Sequence, residues 1–222
     1  MSKLIYAESL GSVYLADAIE LMKEQADSSV DLFLTDIPYD EVNRKSAGLR
    51  KLDRGAADIL TFSLDEFLRE AVRITRGHLH IFCGTEQVST IMRFFREQDF
   101  PRRVFPLKKL NPSPMNGNRM PLSAVEMACW AKKRGAPYYG HCVHNLIEGK
   151  SSRSKLHPTE KPLEVVEALI SLYTAENDLV FDPCCGSGTT GVAAIKTKRR
   201  FIIGDNNVTW AKAAVTRCSS LG

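Results

Sequence analysis

Apolar and polar positions along this chain fall into two alternating patterns. Short runs rich in β-branched and aromatic residues predict strands over Ser12–Leu15, Asp31–Thr35, His78–Phe82, Val104–Leu107, Ala124–Ala131, Asp178–Asp182 and Arg200–Gly204. Longer stretches with helical spacing separate them, near Ala18–Glu24, Leu64–Thr75, Thr85–Gln98, Pro162–Thr174, Thr189–Lys196 and Thr209–Cys218. Pro162 suits a first helical turn, where its missing N–H is not needed. Strands alternating with helices predict an α/β fold, a largely parallel sheet carrying helices on its faces.

Two stretches break the rhythm. Residues 40–60 combine positive charges with glycines straight after the run TDIPY, and residues 133–157 are polar and contain Pro137-Tyr138-Tyr139-Gly140. Neither is long enough for a core of its own, and 222 residues suit one full-sized domain. The expectation is therefore a single domain over 1–222 with two surface insertions, a mobile basic loop at 40–60 and a short insertion at 133–157. No internal repeat or low-complexity tract is visible.

Composition adds limits to this picture. No apolar stretch reaches the length of a membrane span, and the start MSKLIYAESL lacks the apolar core of a secretion signal, so a cytoplasmic protein is expected. The six cysteines follow no disulfide-framework spacing. His141 and His144 lack a second Cys or His pair at finger spacing, and no metal site is expected. The formal net charge is +4, compatible with a polyanionic partner without demanding one. Basic residues bunch at Arg44-Lys45, Arg50-Lys51 and Arg54, and again at Lys132-Lys133-Arg134, as candidates to neutralise phosphates. Solvated surface charge explains any single cluster equally well.

The strongest chemical signal lies at residues 179–190, LVFDPCCGSGTT, followed by Gly191-Val192-Ala193-Ala194. A strand runs into a Gly-x-Gly turn and a helix of small residues begins, which lets backbone approach a ligand and offers free N–H groups. An ordinary strand–helix turn has the same glycines. Two acids sharpen the picture: Asp182 opens the loop, and Asp205 ends the next strand, placed to accept from ribose hydroxyls. The lysine of a phosphate-binding loop is missing after the second glycine, where Thr189-Thr190 stand. Gly188 and Gly191 keep a dinucleotide open on spacing alone. The acid at the loop's start argues better for a ligand with a positive end, such as S-adenosylmethionine.

A second signal is TDIPYD at residues 35–40, an acid, a proline and an aromatic ring closing an apolar strand. Ligands of open α/β sheets bind at such strand ends. A carboxylate and a backbone carbonyl can accept both N–H bonds of an exocyclic amine, and a tyrosine face can stack on a base. A plain strand-ending turn with a buried tyrosine is the competing explanation.

Taken together, DPCCGSGTTG, the preceding HPTEKPLEVVEALI at 157–170 and TDIPY resemble the amino-methyltransferase family of DNA methylases, in the circularly permuted order usually called beta. The resemblance spans about Val13 to Cys218, apart from the two polar loops. It implies a Rossmann-like S-adenosylmethionine-dependent methyltransferase fold, circularly permuted, with one antiparallel strand near an edge of the sheet. It implies catalytic roles for Asp36, Ile37, Pro38 and Tyr39. Asp182, Pro183, Cys184, Gly186, Ser187, Gly188 and Thr189 would cradle S-adenosylmethionine, with Asp205 on its ribose. His157, Thr159 and Lys161 would lie at its methionine end, Lys161 on the carboxylate, and Asp17 would touch its adenine or else cap a helix.

Two positions depart from the family pattern. Ile37 replaces the first proline of D-P-P-Y, which is tolerable if that position acts through its carbonyl. Cys184 replaces an aromatic wall. The Pro183-Cys184 pair resembles the Pro-Cys of ring-carbon cytosine methylases, but that cysteine sits on its own loop, so a cysteine nucleophile is not expected.

Members with Asp at the position of Asp36 mostly methylate adenine N6, so the resemblance implies a DNA adenine-N6 methyltransferase acting on a base flipped from duplex DNA. An N4-cytosine or RNA methylase of the same fold, a non-catalytic nucleic-acid-binding homologue and a nicotinamide-dependent dehydrogenase are the alternatives. A prokaryotic or phage source is expected. A homodimer would extend the footprint of so small a domain on duplex.

Overall fold

The computed structural model describes residues 2–39, 62–112, 118–119, 121–150 and 160–221. Among the described residues nine strands form one sheet: β1 (Lys3–Glu8), β2 (Gly11–Leu15), β3 (Val30–Asp36), β4 (Thr75–Cys83), β5 (Arg102–Lys109), β6 (Val125–Lys132), β7 (Ile147–Gly149), β8 (Leu179–Asp182) and β9 (Arg200–Asp205). Six helices accompany them: α1 (Ala18–Lys23), α2 (Leu64–Ile74), α3 (Thr85–Glu97), α4 (Leu163–Tyr173), α5 (Thr189–Lys196) and α6 (Val208–Ser219). The spatial order is β1-β2-β9-β8-β3-β4-β6-β5-β7.

Strands β2, β9, β8, β3 and β4 run parallel, in that order. β6 lies antiparallel to both its neighbours, β4 and β5, and is the antiparallel strand expected near an edge. At the opposite edge β1 turns back on β2 as a hairpin. β7 falls inside the predicted 133–157 insertion and adds three residues to β5 in parallel.

Both faces of the parallel strands are covered, which is why β3 reads as a nearly unbroken apolar run. On one face Leu32, Leu34 and Phe82 pack with α4, α5 and α6 through Val166, Leu169, Ala193 and Ala214. On the other, Phe33, Leu79 and Ile81 pack with α1, α2 and α3 through Leu21, Phe67, Ile91 and Phe95. Phe33 is central there, edge-on to Phe67 and stacked on Phe181, each at 5.7 Å between centroids. Under α4, His78 stacks on Tyr173 at 4.6 Å and accepts from the Trp130 indole at 3.2 Å. The neighbouring His80 is fully buried, and that burial pushes its pKa down to about 3, so the ring is neutral.

The helix following β8 is α5, on the first face, whereas the helix following β3 is α2, on the second. The chain thus leaves adjacent parallel strands toward opposite sides, and a crevice opens where they part. This is the topological switch point at which open α/β sheets bind ligands. Asp36 ends β3 and Asp182 ends β8, so topology brings the two sequence signals to the same crevice.

Candidate active site

The cleft at the switch point is lined by Asp36, Ile37, Pro38 and Tyr39, by Asp182–Ser187 and Thr189–Thr190, and by Asp205, Asn206 and Asn207. Asp17, Phe62, Phe82, Glu160, Lys161 and Trp210 complete its wall. Asp205 and Asp36 end strands two places apart in the sheet, about 10 Å at ordinary strand spacing. His157 and Thr159 of the predicted set lie outside the described residues, as do Arg44, Lys45, Arg50, Lys51, Arg54 and the whole 40–60 loop.

The glycine turn is shaped from within. Asp182 is buried, accepting from the Thr35 hydroxyl at 2.7 Å, the Thr190 hydroxyl at 2.6 Å and the Cys184 amide at 3.1 Å. Its oxygens therefore tie β3 and α5 to the turn, a correction to the expectation that this acid faces the ligand's positive end directly. Asp205 does the same on the other side, accepting from the Gly186 amide at 3.0 Å and the Asn207 amide at 2.8 Å. Burial pushes Asp182 up to about 7 and Asp205 up to about 6, against the pull of these hydrogen bonds.

Gly188 sits at φ +82°, and a Cβ there would lie 2.7 Å from the Ala214 Cβ. The close approach of α5 to α6 thus requires glycine on two counts. At Gly191 a Cβ would come within 2.7 Å of the Ile203 side chain, so its glycine spacing serves helix–sheet packing.

Two residues that no motif reasoning singled out complete the loop. Arg217 of α6 donates to the Ser187 hydroxyl at 2.8 Å and the Thr189 hydroxyl at 3.2 Å, and pairs with Glu160 at 2.7 Å. Glu160 also accepts from the Thr189 hydroxyl at 3.1 Å, through the same oxygen, Oε1. Its other oxygen, Oε2, is buried in the cleft wall with no hydrogen-bond partner among the described residues. Glu160 was visible inside HPTEKP; nothing in the sequence pointed to Arg217.

The thiols of Cys184 and Cys185 are pushed well above the ordinary cysteine range by burial and by the neighbouring Asp182 and Asp205. Protonated thiols are poor nucleophiles, consistent with rejecting a cysteine mechanism. Among the described residues no three His, Cys, Asp or Glu side chains converge as metal ligands would. Asp17 caps α1, accepting from the Ile19 amide at 2.9 Å and the Glu20 amide at 3.3 Å, while also lining the cleft.

The TDIPY turn is braced from several sides. Ile37 is 1% exposed, its side chain in the core beside α1–α3, and its N–H donates to the Phe82 carbonyl at 3.1 Å. A proline there could not make that bond, so Ile37 extends the β3–β4 pairing by one residue. The Pro38 carbonyl accepts from the Gln87 amide at 3.0 Å, and Gln87, buried in the first turn of α3, accepts from the Gly84 N–H at 2.8 Å. The Tyr39 hydroxyl donates to Asp36 Oδ1 at 3.1 Å.

Lys161 lies somewhere other than expected. Its side chain is 8% exposed, and its ammonium is bonded to Asp36 Oδ2 and stands 3.3 Å from the Tyr39 hydroxyl and 3.2 Å from Glu126 Oε2. The residue predicted for the cofactor's carboxylate is thus held on the Asp36 carboxylate. The physical reason is charge: a buried ammonium beside two half-buried carboxylates finds its strongest partners there. Burial lowers the tendency of Lys161 to carry charge, yet Asp36, Tyr39 and Glu126 together raise its pKa well above the usual value.

Lys132, Lys133 and Arg134 do not reach the cleft. Lys132 pairs in register with His78 near the start of β4, whereas the cleft lies at the strand's far end, where Cys83 faces Met127. Lys133 lies over the Phe100 ring at 5.3 Å, and Arg134 pairs with Asp99.

Comparisons with known proteins agree with this geometry. A DNA methylase family model matches residues 143–215. The type II methyltransferase M2.MboI of Moraxella bovis is 24% identical over 222 residues, covering 86% of this chain and 81% of that protein. The crystal structure of the M1.HpyAVI–SAM complex superposes with a TM-score of 0.72 at 28% identity, covering 93% of this chain and 99% of the other. The PvuII DNA methyltransferase, described as cytosine-N4-specific, shares the fold with a TM-score of 0.74 at 21% identity, over 96% of this chain and 87% of its own. No helix among the described residues is long and apolar enough to cross a membrane. With the glycine turn and the Asp-Ile-Pro-Tyr turn joined in one cleft, the chain is similar over most of its length to type II DNA methyltransferases, which supports a place in the DNA amino-methyltransferase family.

Proposed function

We propose that this protein is an S-adenosylmethionine-dependent DNA methyltransferase acting on the exocyclic N6 amine of adenine. The observation that carries the proposal is the convergence of Asp36 and the glycine turn at one switch-point cleft. The wall chemistry supports a cationic cofactor. Asp17, Asp205 and Glu160 line the cleft, and its only lining cation among the described residues, Lys161, is already paired. Such a wall repels the diphosphate of a dinucleotide and favours a ligand with positive charge. Glu160 Oε2, which has no hydrogen-bond partner among the described residues, is a ready acceptor for an ammonium group.

Bound there, S-adenosylmethionine supplies an electrophilic methyl group on a sulfonium sulfur. The protein's part is to hold and orient. Asp205 accepts from ribose hydroxyls, and Glu160 takes the ammonium end. Asp36 accepts one N–H of the target amine and the Ile37 carbonyl the other, which localises the nitrogen lone pair toward the methyl donor. The burial of the Ile37 side chain leaves this position to act through its backbone. Burial also raises Asp36 above the usual carboxylate range despite Lys161, making it a better acceptor for the proton the amine sheds. The Tyr39 ring offers a stacking face for a base flipped from the duplex. In-line alignment supplies the rest of the acceleration, without a covalent enzyme intermediate.

Contacts to DNA phosphates fall to the basic 40–60 loop in this account, and a short or loosely defined target site follows from the small size of the 133–157 insertion. The adenine assignment predicts that a duplex built only of G·C pairs accepts no methyl groups, while a mixed-sequence duplex does. Comparable transfer to both would turn the assignment to cytosine N4.

A further inference from the structure

Glu126 belongs to none of the motifs discussed above. It stands on the antiparallel strand β6, and its two oxygens are divided between two lysines: Oε1 pairs with Lys109 of β5 at 2.7 Å, and Oε2 with Lys161 at 3.2 Å. Lys161 in turn holds Asp36 Oδ2, while the Tyr39 hydroxyl holds Oδ1. A single chain of charges thus runs Lys109–Glu126–Lys161–Asp36, from the sheet's outer strands to the cleft. Lys161 is further confined by the Phe82 ring at 5.1 Å and the Tyr39 ring at 5.7 Å. Glu126, Lys109 and Lys161 are all at most 22% exposed in their side chains.

We propose that Glu126, acting through Lys161, is a positioning residue for Asp36: the pair fixes the carboxylate's orientation and sets how readily it gives up its proton. This rests on the reading of Asp36 as the amine acceptor, and it assigns Lys161 to that acceptor rather than to the cofactor's carboxylate.

Geometry gives the pair its logic. A half-buried carboxylate that must accept an amine N–H has to be ionised and aimed, and a lone cation beside it would over-stabilise the charge and blunt it as an acceptor. A cation shared with a second carboxylate gives an intermediate setting. Several groups face Asp36: Lys161 from the segment before α4, Tyr39 on its own turn, Glu126 on β6, Cys83 on β4, and Asp182 and Cys184 at the glycine turn. Lys161 is the one cation in this set, and Glu126 is the anion that competes for it. Burial sets the direction for Asp36, upward, with Lys161 lowering it and Glu126 raising it.

The two partners therefore act in opposite senses, and that opposition is the test. Methyl transfer is measured against pH for the wild type, Glu126→Gln and Lys161→Met, together with S-adenosylmethionine affinity by calorimetry. In Lys161→Met the acid limb moves to higher pH and kcat falls about 10- to 100-fold, as for a misaligned reacting group. In Glu126→Gln the acid limb moves to lower pH and kcat falls less, about several-fold. Cofactor affinity stays within about twofold in both, since neither side chain contacts the cofactor in this account. Lys161→Met leaves two carboxylates facing each other and can fail to fold. Lys161→Arg, which keeps the charge, and the double variant Lys161→Met/Glu126→Gln, which removes both, then carry the comparison. The arginine variant retains the wild-type limb, and the double variant shifts it less than Lys161→Met alone.

A carboxyl carbon NMR titration of Asp36, assigned with Asp36→Asn, reads the same shifts without substrate. It separates this proposal from the functional reading, because it holds whether or not DNA is the acceptor. Limbs that do not move, with only the melting temperature changed, make the network structural and overturn the proposal. Weakened cofactor binding in Lys161→Met with an unmoved Asp36 titration returns Lys161 to the cofactor carboxylate and also overturns it.

Discussion

Asp36→Asn lowers methyl transfer to DNA about 100- to 1,000-fold while leaving S-adenosylmethionine binding unchanged. Asparagine keeps the shape but only one acceptor oxygen. Lys161 can only donate, so the amide oxygen turns toward it and the NH2 group faces the Tyr39 hydroxyl. The remaining acceptor is neutral and already engaged, and the target amine loses the charge that localises its lone pair. Cofactor affinity is spared because the glycine turn is held by Asp182, Asp205 and Arg217. The comparison is kcat against S-adenosylmethionine dissociation constant for the two proteins. Activity within a few-fold of wild type removes Asp36 from the chemistry.

Gly188→Ala destabilises the protein by about 2–5 kcal/mol, combining a left-handed backbone position with a packing overlap. The added methyl would sit 2.7 Å from the Ala214 Cβ and 2.8 Å from its Cα, and neither can move without shifting α6. Since α6 carries Arg217, the shift also breaks the clamp on Ser187 and Thr189, so cofactor affinity falls at least tenfold. Gly135 supplies the control. It has nearly the same φ, +81°, but open space where its Cβ would be, so Gly135→Ala pays only the backbone term, about 1–2 kcal/mol. Urea denaturation and calorimetry on both variants read the difference. If Gly188→Ala matches Gly135→Ala in both, close packing at the turn does not shape the cofactor site.

Legibility in the sequence followed local physics. Each predicted helix stands within a residue or two of its place, because amphipathic spacing and caps such as Asp17, Ser63 and Asn207 are written locally. β1 and β7 went unseen for different reasons. β1 is an edge hairpin strand with mostly exposed side chains, and β7 is three residues paired to β5. The site divides in the same way. Asp36, Tyr39, Asp182 and Asp205 sit at strand ends and were readable from pattern and resemblance. Arg217, Glu126 and Gln87 enter from α6, β6 and α3, and only the folded sheet brings them in. Asp182 shows the limit of reading charge from a string. Its acid suggested a partner for a cationic ligand, yet two threonines and an amide from three parts of the chain satisfy it. The position of Lys132, Lys133 and Arg134 was likewise not written in the string: strand register carries that cluster to the end of the sheet away from the cleft.

The most direct test of the central claim is transfer of a labelled methyl group from S-adenosylmethionine to mixed-sequence duplex DNA, followed by nucleoside analysis. The account predicts label in N6-methyldeoxyadenosine, reduced about 100- to 1,000-fold in Asp36→Asn. Label in N4-methyldeoxycytidine contradicts the adenine assignment, and no label in DNA under conditions where the cofactor binds contradicts the function itself.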